Sequence, residues 1–125
     1  MKGEKYIGGM YVLFRLIVGG LFMLHGVTKY GLLGGSAVEM GSLLWFAGVI
    51  ETVGGLFLVL GLFTRVVAAI CAAEMLVAYF MAHFPQGWSP LANKGEPALL
   101  FFAAFLVLAG HGAWKWSLDN VWFKK

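Results

Sequence analysis

Four long apolar segments constrain this chain more than any other feature of its sequence. They cover residues 10–29, 43–62, 66–84 and 97–113, each about 17–20 residues long. An α-helix of that length crosses a hydrocarbon core about 30 Å thick. Because lipid offers no hydrogen-bond partner to an open backbone, runs this long and apolar are helices rather than barrel strands. The pattern predicts an all-α integral membrane protein, a single domain in which four helices run up-down-up-down.

The composition indicates the same class of protein. Hydrophobic residues make up 61% of the chain and charged residues 12%, with a mean hydropathy of +0.85. Soluble domains have roughly 45–50% apolar and about 25% charged residues. The charges are too few to cover a water-facing surface, which excludes a soluble monomer, a disordered tail and a nucleic-acid-binding module. The single cysteine, Cys71, excludes an intrachain disulfide and an all-cysteine zinc site, and its role stays open.

Three connections separate the apolar segments. Residues 31–42 are rich in Gly and Ser and predict a loop, while residues 63–65 leave room only for a tight antiparallel hairpin. The longer connection, 85–96, ends in Glu96-Pro97. An acid at the positive end of the helix dipole followed by proline favours a helix start there.

Two features decide how the chain is placed in the membrane. Lys2 and Lys5 precede the first apolar segment as in a secretory signal, but that segment is long and three more follow it, so we expect a retained helix. With four helices, the side that holds both termini has six Lys or Arg residues and the other side two: Lys2, Lys5, Arg65, Lys115, Lys124 and Lys125 against Lys29 and Lys94. The positive-inside rule then predicts cytoplasmic termini at the cell membrane.

Ionisable residues inside the apolar segments are the candidates for function, because each costs at least ~2.5 kcal/mol at the bilayer centre. They are Arg15, His25, Glu51, Glu74, His83 and His111. Glu51 and Glu74 both fall near the middle of their helices. Glu51 also shares a helical face with Gly48, Gly54 and Gly55, and such small residues predict close contact with another helix.

The two midplane carboxylates need a cation nearby. Two carboxylates close together in a low dielectric cannot both stay ionised without one, and Arg15 on the first helix can reach inward. We therefore expect Arg15 to pair with Glu51, Glu74 or both. The alternative is that this cluster is only a structural lock joining three helices.

A second group of polar residues gathers at the side opposite the termini. It consists of His25, Lys29, His83, Trp88 and Glu96. Residues of these types often anchor helix ends among lipid headgroups. Metal ligation by His25, His83 and Glu96 is a lesser option, and we expect no haem or metal. The chain also has no phosphate-binding, dinucleotide-binding, zincin or nucleophile-elbow motif.

Short motifs in a fixed order carry a resemblance to a known family. They are LHGVTK at 24–29, IETVGGL at 50–56, LGLFTR at 60–65, MAHFP at 81–85 and SLD at 117–119, together with Arg15, Glu74 and Glu96. In this order and spacing the chain resembles the DoxX family of small four-helix membrane proteins over nearly its whole length. The resemblance implies a component of respiratory or detoxifying redox systems. Relatives are associated with quinol oxidase or thiosulfate:quinone oxidoreductase complexes, with quinone and catechol resistance, and with thiol stress.

Three functional hypotheses follow. The leading one is a membrane subunit of an oxidoreductase complex, which interacts with quinone or quinol beside the other subunits. The second is a proton-coupled carrier of a small solute, for which protonatable Glu51 and Glu74 at midplane depth are suited. The third is a non-catalytic scaffold or assembly subunit. The expected partners are the lipid bilayer and other subunits but no nucleic acid, and a homo-oligomer is one option.

For the leading hypothesis we predict a site that begins at the layer of His25 and His83 and reaches inward to Glu51. A histidine near neutral pH both donates and accepts protons, as quinone chemistry requires. Lys29 would stabilise negative charge on a quinone oxygen, and Trp88 would stack on the ring. The predicted catalytic residues are His25, Glu51 and His83, and the predicted binding residues are Arg15, Lys29, Glu74, Trp88 and Glu96.

Overall fold

The computed structural model describes residues 4–123, and this part of the chain is entirely helical and irregular, without strands. The helices are α1 (Glu4–Thr28), α2 (Leu43–Leu60), α3 (Thr64–Ala78), α4 (Glu96–His111) and α5 (Leu118–Phe123). After α3 the chain continues as a π-helical turn, Tyr79–His83, and a 3-10 turn, Phe84–Gln86. The predicted fold class is confirmed. Lys2, Lys124 and Lys125, used in the charge count, lie outside the described residues.

Helix ends differ from the predicted bounds where local caps decide them. The second apolar run was expected to reach residue 62, but α2 ends at Leu60 because Gly61 takes a left-handed conformation with φ +67°. The Gly61 N–H then donates to the carbonyl of Leu58 and the Leu62 N–H to that of Phe57, the pattern that closes many helices at glycine. The length of an apolar run does not show where such a cap ends the helix.

The first two helices pack antiparallel through glycines. A Cβ atom built on Gly55 would lie 2.6 Å from the Gly19 carbonyl oxygen, and one on Gly26 would overlap with the Thr52 backbone nitrogen. Only residues without side chains allow such an approach of two helix backbones. The predicted contact of the glycine face around Glu51 with a neighbouring helix is confirmed.

The interior of the bundle is aromatic and aliphatic, and the exterior is apolar as well. Phe22, Leu58 and Phe105 are almost fully buried, and the Phe22 and Phe105 rings meet edge to face at 4.6 Å. Many large side chains, such as Leu13 and Val77, remain exposed on the outside. A soluble protein does not present so much continuous apolar surface, whereas a bilayer covers it.

In the described part of the chain, three helical spans are long and apolar enough to cross a membrane: Tyr6–Thr28, Leu43–Leu60 and Thr64–Gln86. The fourth, Glu96–His111, is apolar but has 16 residues, about 24 Å at the usual rise. Successive helices contact one another along opposite directions, as expected for the up-down-up-down arrangement. The molecule is a multi-pass helical membrane bundle.

The bundle has two distinct ends. The loop end carries the connections 29–42 and 87–95. The terminal end carries the start of α1, the α2–α3 turn and α5, which the sequence did not predict. Asp119 in α5 accepts from the N–H groups of Phe63 (2.6 Å) and Thr64 (2.9 Å) and so caps the start of α3.

Candidate functional site

A cavity of about 330 Å³ lies in the loop-end half of the bundle, between α1, α2, α3 and α4. Its wall combines aromatic and aliphatic side chains with six titratable ones. The titratable residues are His25, Lys29, Glu51, Glu74, His83 and Lys94. Ligand pockets typically enclose about 300–1,000 Å³ and mix apolar walls with a few polar groups, so this cavity fits a small ring or a headgroup.

An ion pair joins the residue that follows α1 to the middle of α2, at the base of this cavity. The Lys29 Nζ lies 2.6 Å from the Glu51 Oε1, and their side chains are 23% and 4% exposed. Glu51 stands eight residues after the first residue of α2, about 12 Å along the helix. Lys29 therefore extends from the loop end toward the middle of the bundle to neutralise a buried carboxylate.

Glu74 on α3 lies beside the Lys29–Glu51 ion pair. Within residues 4–123 it has no cation of its own. Its Oε1 is buried and has no hydrogen-bond partner in this part of the chain, and it lies within the electrostatic reach of Glu51 and Lys29. Two carboxyl groups that share one lysine in a low-dielectric site cannot both be ionised at little cost. The cluster is therefore suited to holding and exchanging one proton.

Two histidines lie above the carboxylates, toward the loop end. The His25 ring meets the Phe101 ring edge to face at 5.5 Å. The His83 Nδ1 lies 3.2 Å from the Asn93 carbonyl oxygen. His83 is the last residue of the π-helical turn, a feature that occurs frequently at functional sites.

The structure brings five of the eight predicted site residues around one cavity: His25, Lys29, Glu51, Glu74 and His83. Trp88 and Glu96 are not part of its wall. Trp88 lies on the surface, 81% exposed, and Glu96 is exposed in the first turn of α4. The ring-stacking role expected of Trp88 is therefore wrong, because the connection turns its side chain away from the bundle.

The predicted pairing of Arg15 with Glu51 or Glu74 is also wrong. Arg15 is 1% exposed and lies at the terminal end, where its guanidinium donates to the carbonyl oxygens of Ala113 (2.6 Å), Lys115 (3.1 Å) and Trp116 (2.9 Å). The chain after α4 folds back across the helix ends and supplies these acceptors. That return could not be seen in a sequence read as four spans.

Arg65 serves the same end of the bundle. Its guanidinium donates to the carbonyl oxygens of Gly110 and His111 (3.1 Å) in the last turn of α4, where four carbonyls of any helix lack internal partners. His111 stacks on Trp114 with ring centroids 4.5 Å apart. His111 is thus separate from the cavity.

Sequence reasoning missed Lys94 and Asn93. Lys94 lines the cavity and has a left-handed backbone with φ +62°. Asn93 is fully buried and joins the 87–95 connection to the π-helical turn. Lys94 could have been suspected, since it was one of two cations counted on its side. Nothing in the sequence distinguished Asn93 from any other loop asparagine.

The lesser option of a metal site is not supported. Within residues 4–123 no three His, Cys, Asp or Glu side chains come together in a way that could hold a metal ion. The set of His25, His83 and Glu96 is not formed, because Glu96 stands outside the cavity.

These features define the class of protein: a multi-pass helical membrane bundle with a polar-rimmed cavity in one half. Residues 10–84 match the family model described as DoxX. The chain belongs to the DoxX family, as its motifs indicated. All of the titratable cavity residues except Lys94 fall inside the matched region.

A relative from Haemophilus influenzae, described as an uncharacterized protein, supports the same family relationship. It is 41% identical over 130 residues, covering 98% of this chain and 97% of the relative. The similarity therefore extends beyond the matched family region to α4 and α5. No solved structure matches the chain.

Proposed function

We propose that this protein is a quinone- or quinol-interacting subunit of a redox complex in the cell membrane, acting beside other oxidoreductase subunits. The observation that carries the proposal is that one cavity joins titratable side chains at the loop end to a carboxylate cluster near mid-bundle. An amphipathic ring needs both an apolar wall and polar groups for its oxygens. Phe22, Met75 and Phe101 supply the wall here.

The chain's own residues suit binding and proton movement in that cavity. A bound quinone would supply two carbonyl oxygens that take up electrons and protons together. Lys29 and Lys94 would place positive charge near one oxygen, a form of stabilisation that is strong in a low dielectric. His25 and His83 would exchange protons at the ring. Glu51 and Glu74 would hold a proton below it.

A thermal-shift titration of the purified protein tests the proposal. A ligand that binds only the folded state stabilises it by about 2.7 kcal/mol at one hundred times its Kd. We expect short-tailed benzohydroquinones or naphthohydroquinones, kept reduced, to raise the Tm of the wild-type protein. His25→Ala and His83→Ala should reduce that shift. His111→Ala, at the terminal end, is the matched control and should keep it; equal shifts in all four proteins, or none in the wild type, would contradict the proposal.

We further propose that both termini face the cytoplasm. Arg65 and Lys115 lie at the terminal end, whereas Lys29 at the loop end is neutralised by Glu51. Single cysteines in a Cys71→Ser background test this orientation. Met40 at the loop end is 83% exposed and Trp116 at the terminal end 75%. An impermeant thiol reagent added to intact cells should label Met40→Cys and not Trp116→Cys; the reverse would overturn the orientation.

One observation favours a second candidate, the proton-coupled carrier. The buried oxygen of Glu74, which has no hydrogen-bond partner within residues 4–123, is the kind of group that such carriers protonate during transport. Uptake of solute into proteoliposomes driven by a pH gradient, without any quinone, would favour this candidate. Activity that requires a redox partner would favour the first. A partner complex that keeps full activity with Glu51→Gln would instead indicate a scaffold.

A further inference from the structure

We propose that Asn93 positions His83 so that Nδ1 of the ring carries a hydrogen and Nε2 is left as a hydrogen-bond acceptor for a ligand hydroxyl group. The ligand part of this inference rests on the proposed function. The positioning part rests only on contacts within the chain.

Asn93 is held rigidly at the loop end. Its side chain is fully buried, and the Nδ2 group donates to the Tyr79 hydroxyl at 3.1 Å and to the Gly87 carbonyl at 2.8 Å. Its Oδ1 accepts from the Gly95 N–H at 2.8 Å. These three hydrogen bonds of the Asn93 side chain restrain the position of its own backbone carbonyl.

That carbonyl is the partner of His83. A carbonyl oxygen only accepts, so the Nδ1 atom that lies 3.2 Å away must be the donor. In a neutral imidazole one nitrogen carries the hydrogen and the other has a free lone pair, and a hydrogen bond at one nitrogen determines the role of the other. Nε2 makes no hydrogen bond within residues 4–123, and His83 lines the cavity.

The consequence is a preference for one form of ligand. An Nε2 lone pair accepts from a hydroxyl group but repels a carbonyl oxygen. Glu51 and Glu74 add further acceptors at the base of the cavity. The site therefore favours a dihydroxylated aromatic ring, the reduced form, over the corresponding dione or over an ether that lacks the hydroxyl hydrogen.

Nitrogen-15 NMR of histidine-labelled protein in lipid nanodiscs tests the positioning directly, without any ligand. The chain has three histidines, so His25→Ala and His111→Ala identify the His83 signals. We expect neutral His83 to show the Nδ1–H tautomer. Tyr79→Phe removes one anchor of Asn93 while keeping the ring, and we expect it to introduce a measurable fraction of the Nε2–H tautomer. A wild-type His83 in the Nε2–H form would overturn the positioning.

Binding of a short-tailed hydroquinone and of its dimethyl ether tests the ligand preference. The two compounds differ in the hydroxyl hydrogens. We expect the wild-type protein to bind the hydroquinone at least about tenfold more tightly, and His83→Ala to lose most of that ratio while His111→Ala keeps it. A ratio unchanged in His83→Ala would overturn the acceptor role of Nε2. If neither compound binds, the ligand part fails together with the proposed function, and the tautomer measurement still decides the role of Asn93.

Discussion

Arg15 at the terminal end and Lys29 at the loop end are both cations held inside the helical bundle, yet their partners differ. Arg15 donates to three backbone carbonyls of the returning C-terminal chain. Lys29 pairs with the Glu51 carboxylate beside a cavity and beside Glu74. One cation meets acceptors that belong to the backbone, and the other meets groups that can gain or lose a proton.

The difference shows how a buried charge can be structural at one end and chemically available at the other. Backbone carbonyls cannot change their charge, and they move only if the chain moves. A carboxylate can be protonated, and a lysine paired with it can be drawn to a ligand. We therefore interpret the terminal end as structural, holding the helices together, and the loop end as the half that binds ligand and exchanges protons. Four substitutions test this interpretation.

Arg15→Leu should have the largest effect on stability. It leaves the carbonyls of Ala113, Lys115 and Trp116 without their donor, and each unsatisfied buried group costs about 1–3 kcal/mol. We expect the free energy of unfolding to fall by about 3 kcal/mol or more, measured by thermal unfolding in detergent.

The same variant distinguishes the observed contacts from a pairing with the carboxylates. Adding Glu51→Gln or Glu74→Gln should not restore stability, since neither carboxylate contacts Arg15. Restoration by either one would contradict the assignment of Arg15 to the terminal end.

Lys29→Met should destabilise the protein by about 2–3 kcal/mol, since it leaves Glu51 without its cation. The value is below the roughly 3–5 kcal/mol of a fully buried pair, because the Lys29 side chain is 23% exposed. The double variant with Glu51→Gln should recover most of the loss. Strict additivity in this double-mutant cycle would show that the two side chains do not interact.

Asp119→Ala should lower stability by about 1–2 kcal/mol, the usual cost of losing a helix N-cap. It removes the acceptor of the Phe63 and Thr64 N–H groups. Because Asp119 lies at the terminal end, ligand binding at the cavity should be unchanged when measured well below the Tm. A weaker ligand affinity would show that the two ends are coupled.

Glu74→Gln should have the smallest effect on stability, within about 0.5 kcal/mol of the wild type or slightly stabilising. The amide has nearly the same shape as the carboxyl group, and its NH2 group can donate to the neighbouring Glu51 carboxylate in place of a carboxyl proton. Proton-linked function should nevertheless be lost, measured as turnover or uptake in reconstituted vesicles. A loss of stability above about 2 kcal/mol would identify Glu74 as part of the structural framework.

Several features could be predicted from the sequence because they depend on local composition. Long apolar runs determine membrane helices through the cost of unpaired backbone in lipid. The glycines beside Glu51 indicated a helix contact, since small residues let backbones approach. The alternating direction of the helices placed His25, Lys29 and His83 near the same face of the membrane. It placed Glu51 further in, near the middle of its helix.

Other features depended on contacts between distant parts of the chain. Arg15 and its acceptors are about 100 residues apart, and a pattern of apolar spans contains no information on where the chain after α4 returns. Trp88 and Asn93 lie in one irregular connection, where the backbone path decides that one side chain is exposed and the other buried.

The sequence by itself therefore determined that this chain is a helical membrane bundle of the DoxX type with charged residues in its interior. Only the tertiary structure decided which charges meet. Helix formation depends on neighbours a few residues away, whereas the partner of a buried charge is set by whichever acceptor the folded chain brings within about 3 Å. At the loop end the nearest acceptor for the Lys29 ammonium group is the Glu51 carboxylate. At the terminal end the acceptors for the Arg15 guanidinium are backbone carbonyl oxygens of the returning chain, such as that of Ala113.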